Sequence, residues 1–103
     1  MANIRINYDE MRSVASEFQN QSNATQQIIN SLNNRAQQLL SSWEGVAEQA
    51  FMQELESCRQ RLNRVPEMLA QVSQALRTTA DRVEAAELEA ARAAASTITA
   101  DNA

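Results

Sequence analysis

Two runs of positions, each stepping alternately by four and three residues, lie on either side of the only glycine in the chain. The first reads Met11, Ala15, Phe18, Ser22, Thr25, Ile29, Leu32, Ala36, Leu39, Trp43. The second reads Phe51, Leu55, Cys58, Leu62, Val65, Leu69, Val72, Leu76, Thr79, Val83, Ala86, Ala90. A mean step of about 3.5 residues keeps one stripe of a helix turned toward a neighbouring helix, whereas a strand alternates every second residue. One Gly and one Pro in 103 residues also leave too few turn residues for a sheet. The chain is therefore expected to be all-α, an antiparallel two-helix hairpin in a single domain over residues 1–103.

Local signals set the expected boundaries: helix 1 over about 8–43, a turn at 43–45, helix 2 over about 46–95 and a flexible tail over 96–103. Asn7 is a good N-cap, Glu10 is placed to complete a capping box, and Ile6 and Met11 occupy the two positions of a hydrophobic staple. Gly45 ends the first helix by its freedom at positive φ. Pro66 falls inside the second run, but the phase is kept on both sides, so a bend rather than a break is expected. At the helical rise, helix 1 spans ~54 Å and helix 2 ~75 Å. Tyr8 then pairs in height with Asp81, and residues 82–95 overhang.

Two helices make a thin core. Val14, Ile28 and Leu40 on helix 1, and Met52, Met68, Ala75 and Ala80 on helix 2, widen the apolar stripe beyond what one helix–helix contact covers. The packing residues are taken as Phe18, Ile28, Ile29, Leu32, Leu39, Leu40, Phe51, Leu55, Leu62, Leu69, Val72 and Leu76. An exposed stripe of that width is an association site. It implies a four-helix bundle made from two hairpins, with itself or with a similar chain as the partner.

Composition removes most chemistry. There is no histidine, and the lone Cys58 makes neither a thiolate metal site nor an internal disulfide. One glycine excludes a glycine-rich phosphate cradle. No catalytic, cofactor-binding or metal-ligating residue is expected, so the chain is read as a binding protein and not an enzyme. Cys58 itself, on the seam, is expected to be buried and inert. The net charge of −4 argues against nucleic acid as a partner. Arg59, Arg61 and Arg64 are flanked by Glu54, Glu56 and Glu67, which reads as a salt-bridged face. No apolar run is long enough for stable membrane insertion, and MANIRINYDE holds no signal-peptide core.

Trp43-Glu44-Gly45, with Ala47 and Phe51 following it and an amphipathic run on each side, resembles the WXG100 (ESAT-6-like) family over nearly the whole chain. The resemblance implies a helical hairpin that dimerises with itself or with a paralogous WXG100 protein. It also implies export by a type VII (ESX-like) secretion system through its membrane ATPase, without a cleaved signal peptide, so the chain is cytoplasmic before export and extracellular after it. Trp43 and Gly45 then form the recognition turn. The family's Tyr-x-x-x-Asp/Glu export signal falls on Val83 and Glu87, with the acid present and valine in place of the aromatic. The competing reading is a non-secreted helical adaptor or chaperone that forms a four-helix bundle with a partner protein.

Overall fold

The computed structural model describes the backbone of residues 7–101 and the side chains of residues 7–96. It contains three helices in order, α1 (Tyr8–Leu40), α2 (Val46–Leu62) and α3 (Arg64–Asp101), and no strand among the described residues. α1 runs antiparallel to the continuous α2–α3 rod, giving a hairpin of 88 × 25 × 17 Å.

α1 starts where its cap predicts. The Asn7 side chain accepts a hydrogen bond from the Glu10 backbone N–H at 3.0 Å, and Asp9 and Glu10 place negative charge in the first turn. Ile6, the outer half of the expected staple, lies outside the described residues. α1 stops at Leu40, three residues short of the expected Trp43. Ser41 and Ser42 explain this. Their hydroxyls donate to the carbonyls of Gln38 and Leu39 at 2.6 and 2.7 Å, and the N–H groups of Ser42 and Trp43 bond three residues back. The last carbonyls are satisfied by a tightened turn, so the helix has no need to continue.

The connection therefore occupies residues 41–45, and Gly45 begins α2 rather than ending α1. Its φ of +109° and ψ of −160° lie in a region open essentially to glycine alone, and its carbonyl accepts the first bond of α2 from Gln49. The expected single second helix is two segments meeting at Asn63. Pro66 has no N–H for the Leu62 carbonyl, and its ring crowds that group. Pro66 is the third residue of α3, in the first turn, where an N–H would lack a partner within α3 in any case. Asn63 itself stays helical at φ −64° and ψ −17°, so the rod keeps its direction. α3 continues to Asp101, beyond the point where the loss of pattern at 96 suggested a flexible tail.

The line buried inside the hairpin is made mostly of small residues. On α1 it comprises Ala15, Ser22, Ile29 and Leu40; on α3 it comprises Pro66, Ser73 and Ala80. The two buried serines face across the seam: Ser22 Oγ–H donates to the Pro66 carbonyl at 2.6 Å and Ser73 Oγ–H to the Ala15 carbonyl at 2.7 Å. Small side chains let the backbones approach closely enough for these direct bonds. α2 buries no residue at all.

Candidate functional site

The larger apolar residues lie beside that seam, not in it. Ile28 (59%), Leu32 (60%), Leu39 (50%) and Leu62 (47%) are substantially exposed, as are Phe51, Val65 and Val72, while Phe18, Leu55, Leu69 and Leu76 are half-buried. Of the residues taken as packing, only Ile29 and Leu40 are buried within the chain. The seam traced by alternating steps runs one position before the buried line on α3: Val65, Val72 and Thr79 precede Pro66, Ser73 and Ala80.

Both stripes emerge on the same side of the hairpin. One shallow groove is lined by Phe18 of α1 and Leu69 of α3. A second, with about 300 Å³ of open volume, lies between Ile29 and Leu32 of α1 and Leu55, Cys58 and Leu62 of α2. One side of the hairpin is thus a continuous apolar face along both rods. Cys58 is on it and is half-buried, not sealed in a core as its register suggested; Arg61 donates to its sulfur at 3.4 Å.

The reverse side is polar and tied across. Gln26 Nε2 donates to Asn63 Oδ1 at 3.4 Å, Arg77 to the Ser16 hydroxyl at 3.2 Å, and Arg12 Nη2 to Asp81 at 2.8 Å. Arg12 also reaches Glu84 at 3.1 Å and lies over the Tyr8 ring at 5.4 Å. Its guanidinium pKa is raised further by the hydrogen bonds to Glu84 and then Asp81. This clasp holds the open end of the hairpin at the height where Tyr8 and Asp81 were expected to meet. It was missed in the sequence because an arginine on a polar helix face gives no sign of its partners far along the chain.

The two ends differ. At the turn, Trp43 stacks edge-on against Phe51, with centroids 5.6 Å apart and planes at 62°, and both rings remain more than a third exposed. At the other end α3 leaves α1 behind. Val83 and Glu84 are half-buried, and every described side chain from 85 to 96, Glu87 among them, is exposed. Val83 and Glu87 therefore straddle the point where α3 runs on past α1, far from Trp43 and Gly45 of the same chain. Among the described residues no group of three or more His, Cys, Asp or Glu side chains could hold a metal ion, and no helix is long and apolar enough to cross a membrane.

The chain is similar to known proteins in sequence and, for solved structures, in fold. Protein YukE of Bacillus subtilis is 27% identical over 88 residues, covering 85% of this chain and 91% of that protein. The type VII secretion system extracellular protein A of Staphylococcus aureus is 25% identical over 84 residues, covering 82% and 87%. Of solved structures, EsxA of Geobacillus thermodenitrificans matches with a TM-score of 0.71 at 27% identity, covering 85% of this chain and 96% of that one. The secreted protein EsxB of Bacillus anthracis matches at 0.72 and 26%, covering 84% and 99%. The model of WXG100, proteins of 100 residues with WXG, matches residues 3–88, a span that holds α1, the Trp43-Glu44-Gly45 turn, α2 and α3 as far as Leu88. With that match over most of its length, the chain belongs to the WXG100 family.

Proposed function

We propose that this protein is a substrate of a type VII secretion system, exported as a dimer in which a second hairpin covers its apolar face. The observation that carries the reading is the exposure of that face. Ile28, Leu32, Leu39, Phe51, Leu62, Val65 and Val72 are each more than a third exposed along it, a contiguous apolar surface of the kind that marks an association site. The exposed α3 surface around Val83 and Glu87, and the Trp43–Gly45 turn, are the surfaces left for the membrane ATPase. The mechanism is recognition alone: no step of it calls for a reactive group.

Size-exclusion chromatography with light scattering tests the dimer, which should run at twice 11.5 kDa. Export is tested in a host carrying the secretion system, with Trp43→Ala and Glu87→Gln made separately and helicity checked by circular dichroism. Loss of export with folding kept supports the reading. Undiminished export in both variants removes the recognition roles. A dimer that never leaves the cell leaves the adaptor or chaperone reading in its place.

A further inference from the structure

The bonds that tie the two rods together crowd into one half of the hairpin. From the open end inward they join Arg12 to Asp81 and Glu84, Ser73 to Ala15, Arg77 to Ser16, Ser22 to Pro66 and Gln26 to Asn63. Beyond Gln26 they stop. Among the described residues no hydrogen bond or ion pair joins residues 27–40 of α1 to α2. The polar side-chain contacts of α2, Cys58 with Glu54, Arg59 with Glu56 and Arg61 with Cys58 and Glu54, all stay within α2.

The turn half is held by apolar contact alone, and one rod does most of the sealing. Ile29 and Leu40 of α1 are buried, whereas α2 buries no residue, and the groove lined by Ile29, Leu32, Leu55, Cys58 and Leu62 stays open between the two helices. Such contact is non-directional and fixes no register. α2 is also bounded at each end by a break in the backbone pattern. The chain enters it through Gly45 at φ +109°. At its other end Pro66 offers no N–H to the Leu62 carbonyl, just where the tie from Gln26 to Asn63 ends the bonded half. Residues at the ends of elements are where hinge rotations are absorbed. Undocked from α1, a helix of 17 residues is only marginally stable in water and melts as it lifts.

We infer that the hairpin is built as two cooperative units: a latched half, α1 as far as Gln26 with α3, and a turn half, from Ile29 through α2, which opens about a pivot at Asn63–Pro66 while the latched half stays folded. The Trp43–Phe51 pair belongs to the opening unit and the Arg12 clasp to the latched one, so one end of the molecule loosens without the other.

Native-state hydrogen exchange of the full chain, followed by NMR at rising urea concentrations below the unfolding transition, reads the two units separately. Amides of residues 50–62 should exchange roughly 25-fold faster than those of 68–80, the factor carried by two buried seam hydrogen bonds at about fivefold each, and with a shallower dependence on urea. Two variants shift the balance in opposite directions. Pro66→Ala returns an N–H to the Leu62 carbonyl and should slow exchange across α2 about fivefold, the worth of one hydrogen bond. Ser22→Ala removes the innermost seam bond and should bring amides of 67–71 toward the α2 rate while those around Ser73 keep theirs. A single rate and urea slope shared by α2 and the α3 seam of the parent overturns the inference. So does a Ser22→Ala variant whose exchange rises equally along both rods, because the hairpin then opens as one piece.

Discussion

Ser73 donates its buried hydroxyl to the carbonyl of Ala15 at 2.7 Å, across the seam of the hairpin. Seven residues along each helix, in opposite chain directions, Ser22 returns the same bond to Pro66. Because a heptad up one rod matches a heptad down the other, both bonds form together in one register only. A slide by one residue would leave two hydroxyls buried without partners, each costing about 1–3 kcal/mol.

Ser73→Ala should therefore cost about 1 kcal/mol, the net worth of one such hydrogen bond, since the Ala15 carbonyl keeps its place in the helix ladder. Ser73→Leu should cost more, roughly 1–3 kcal/mol from overpacking alone, because the close approach leaves no room for a larger side chain. Urea unfolding followed by circular dichroism gives both values. A leucine variant as stable as the alanine one would show that the seam is not tightly packed.

Gly45 makes a separate prediction that isolates backbone conformation from packing. A Cβ placed on it would meet no atom within 4 Å, so any penalty for a side chain comes from φ +109° alone. Gly45→Ala should lose about 1–3 kcal/mol, the usual cost of holding an L-residue in that region. D-alanine, introduced by chemical synthesis, reverses the handedness of the penalty and should leave the melting temperature at or above that of the parent.

Most of this architecture was legible in the sequence, and the exceptions have a common cause. Asn7 and Glu10 announced the start of α1 because a cap is a local device, and the single glycine marked the hairpin corner. The four-and-three rhythm found the two rods, yet on α3 it followed Val65 and Val72 and so missed Pro66 and Ser73. Periodicity registers large apolar residues, and on α3 these serve the open face; the contact that α3 makes within the chain comes from residues too small and too polar to stand out. The i,i+7 recurrence of Pro66, Ser73 and Ala80 was the available signal. Ser41 and Ser42 shortened α1 by side-chain bonds to carbonyls, which no count of hydrophobic positions reveals. The turn residues and the expected export-signal positions were named by resemblance, and the fold sets them at opposite ends of the hairpin.

Glu56 gives a prediction in pH. The Arg59 guanidinium donates to both its carboxylate oxygens, at 2.6 and 3.0 Å, and holds its pKa below the ordinary glutamate value. A depressed folded-state pKa contributes stability above the unfolded-state value, near 4.3, and that contribution fades as pH falls through the lower folded one. Carboxyl carbon shifts followed by NMR should show Glu56 titrating below the ordinary glutamate value in the parent and returning toward it in Arg59→Gln. The pair is exposed, so the effect on the melting temperature should be slight.

Arg12 fixes where the paired part of the hairpin ends and α3 runs on past α1. Its two terminal nitrogens reach Asp81 and Glu84, one turn apart on α3, at 2.8 and 3.1 Å, and no other ion pair among the described residues joins the two rods. Lysine carries the same charge on one nitrogen and loses the fork that spans both acids. Hydrogen exchange of α3 amides around residues 78–88 should accelerate in Arg12→Gln and less so in Arg12→Lys, while amides near Ser73 keep their protection. Raising salt to 0.5 M should move the parent toward the glutamine variant, because partly exposed charges are screened within a few ångströms. If exchange rises equally along the whole hairpin, Arg12 supports the fold at large; if it does not rise at all, packing below Asp81 already holds the end closed and the clasp has no mechanical role.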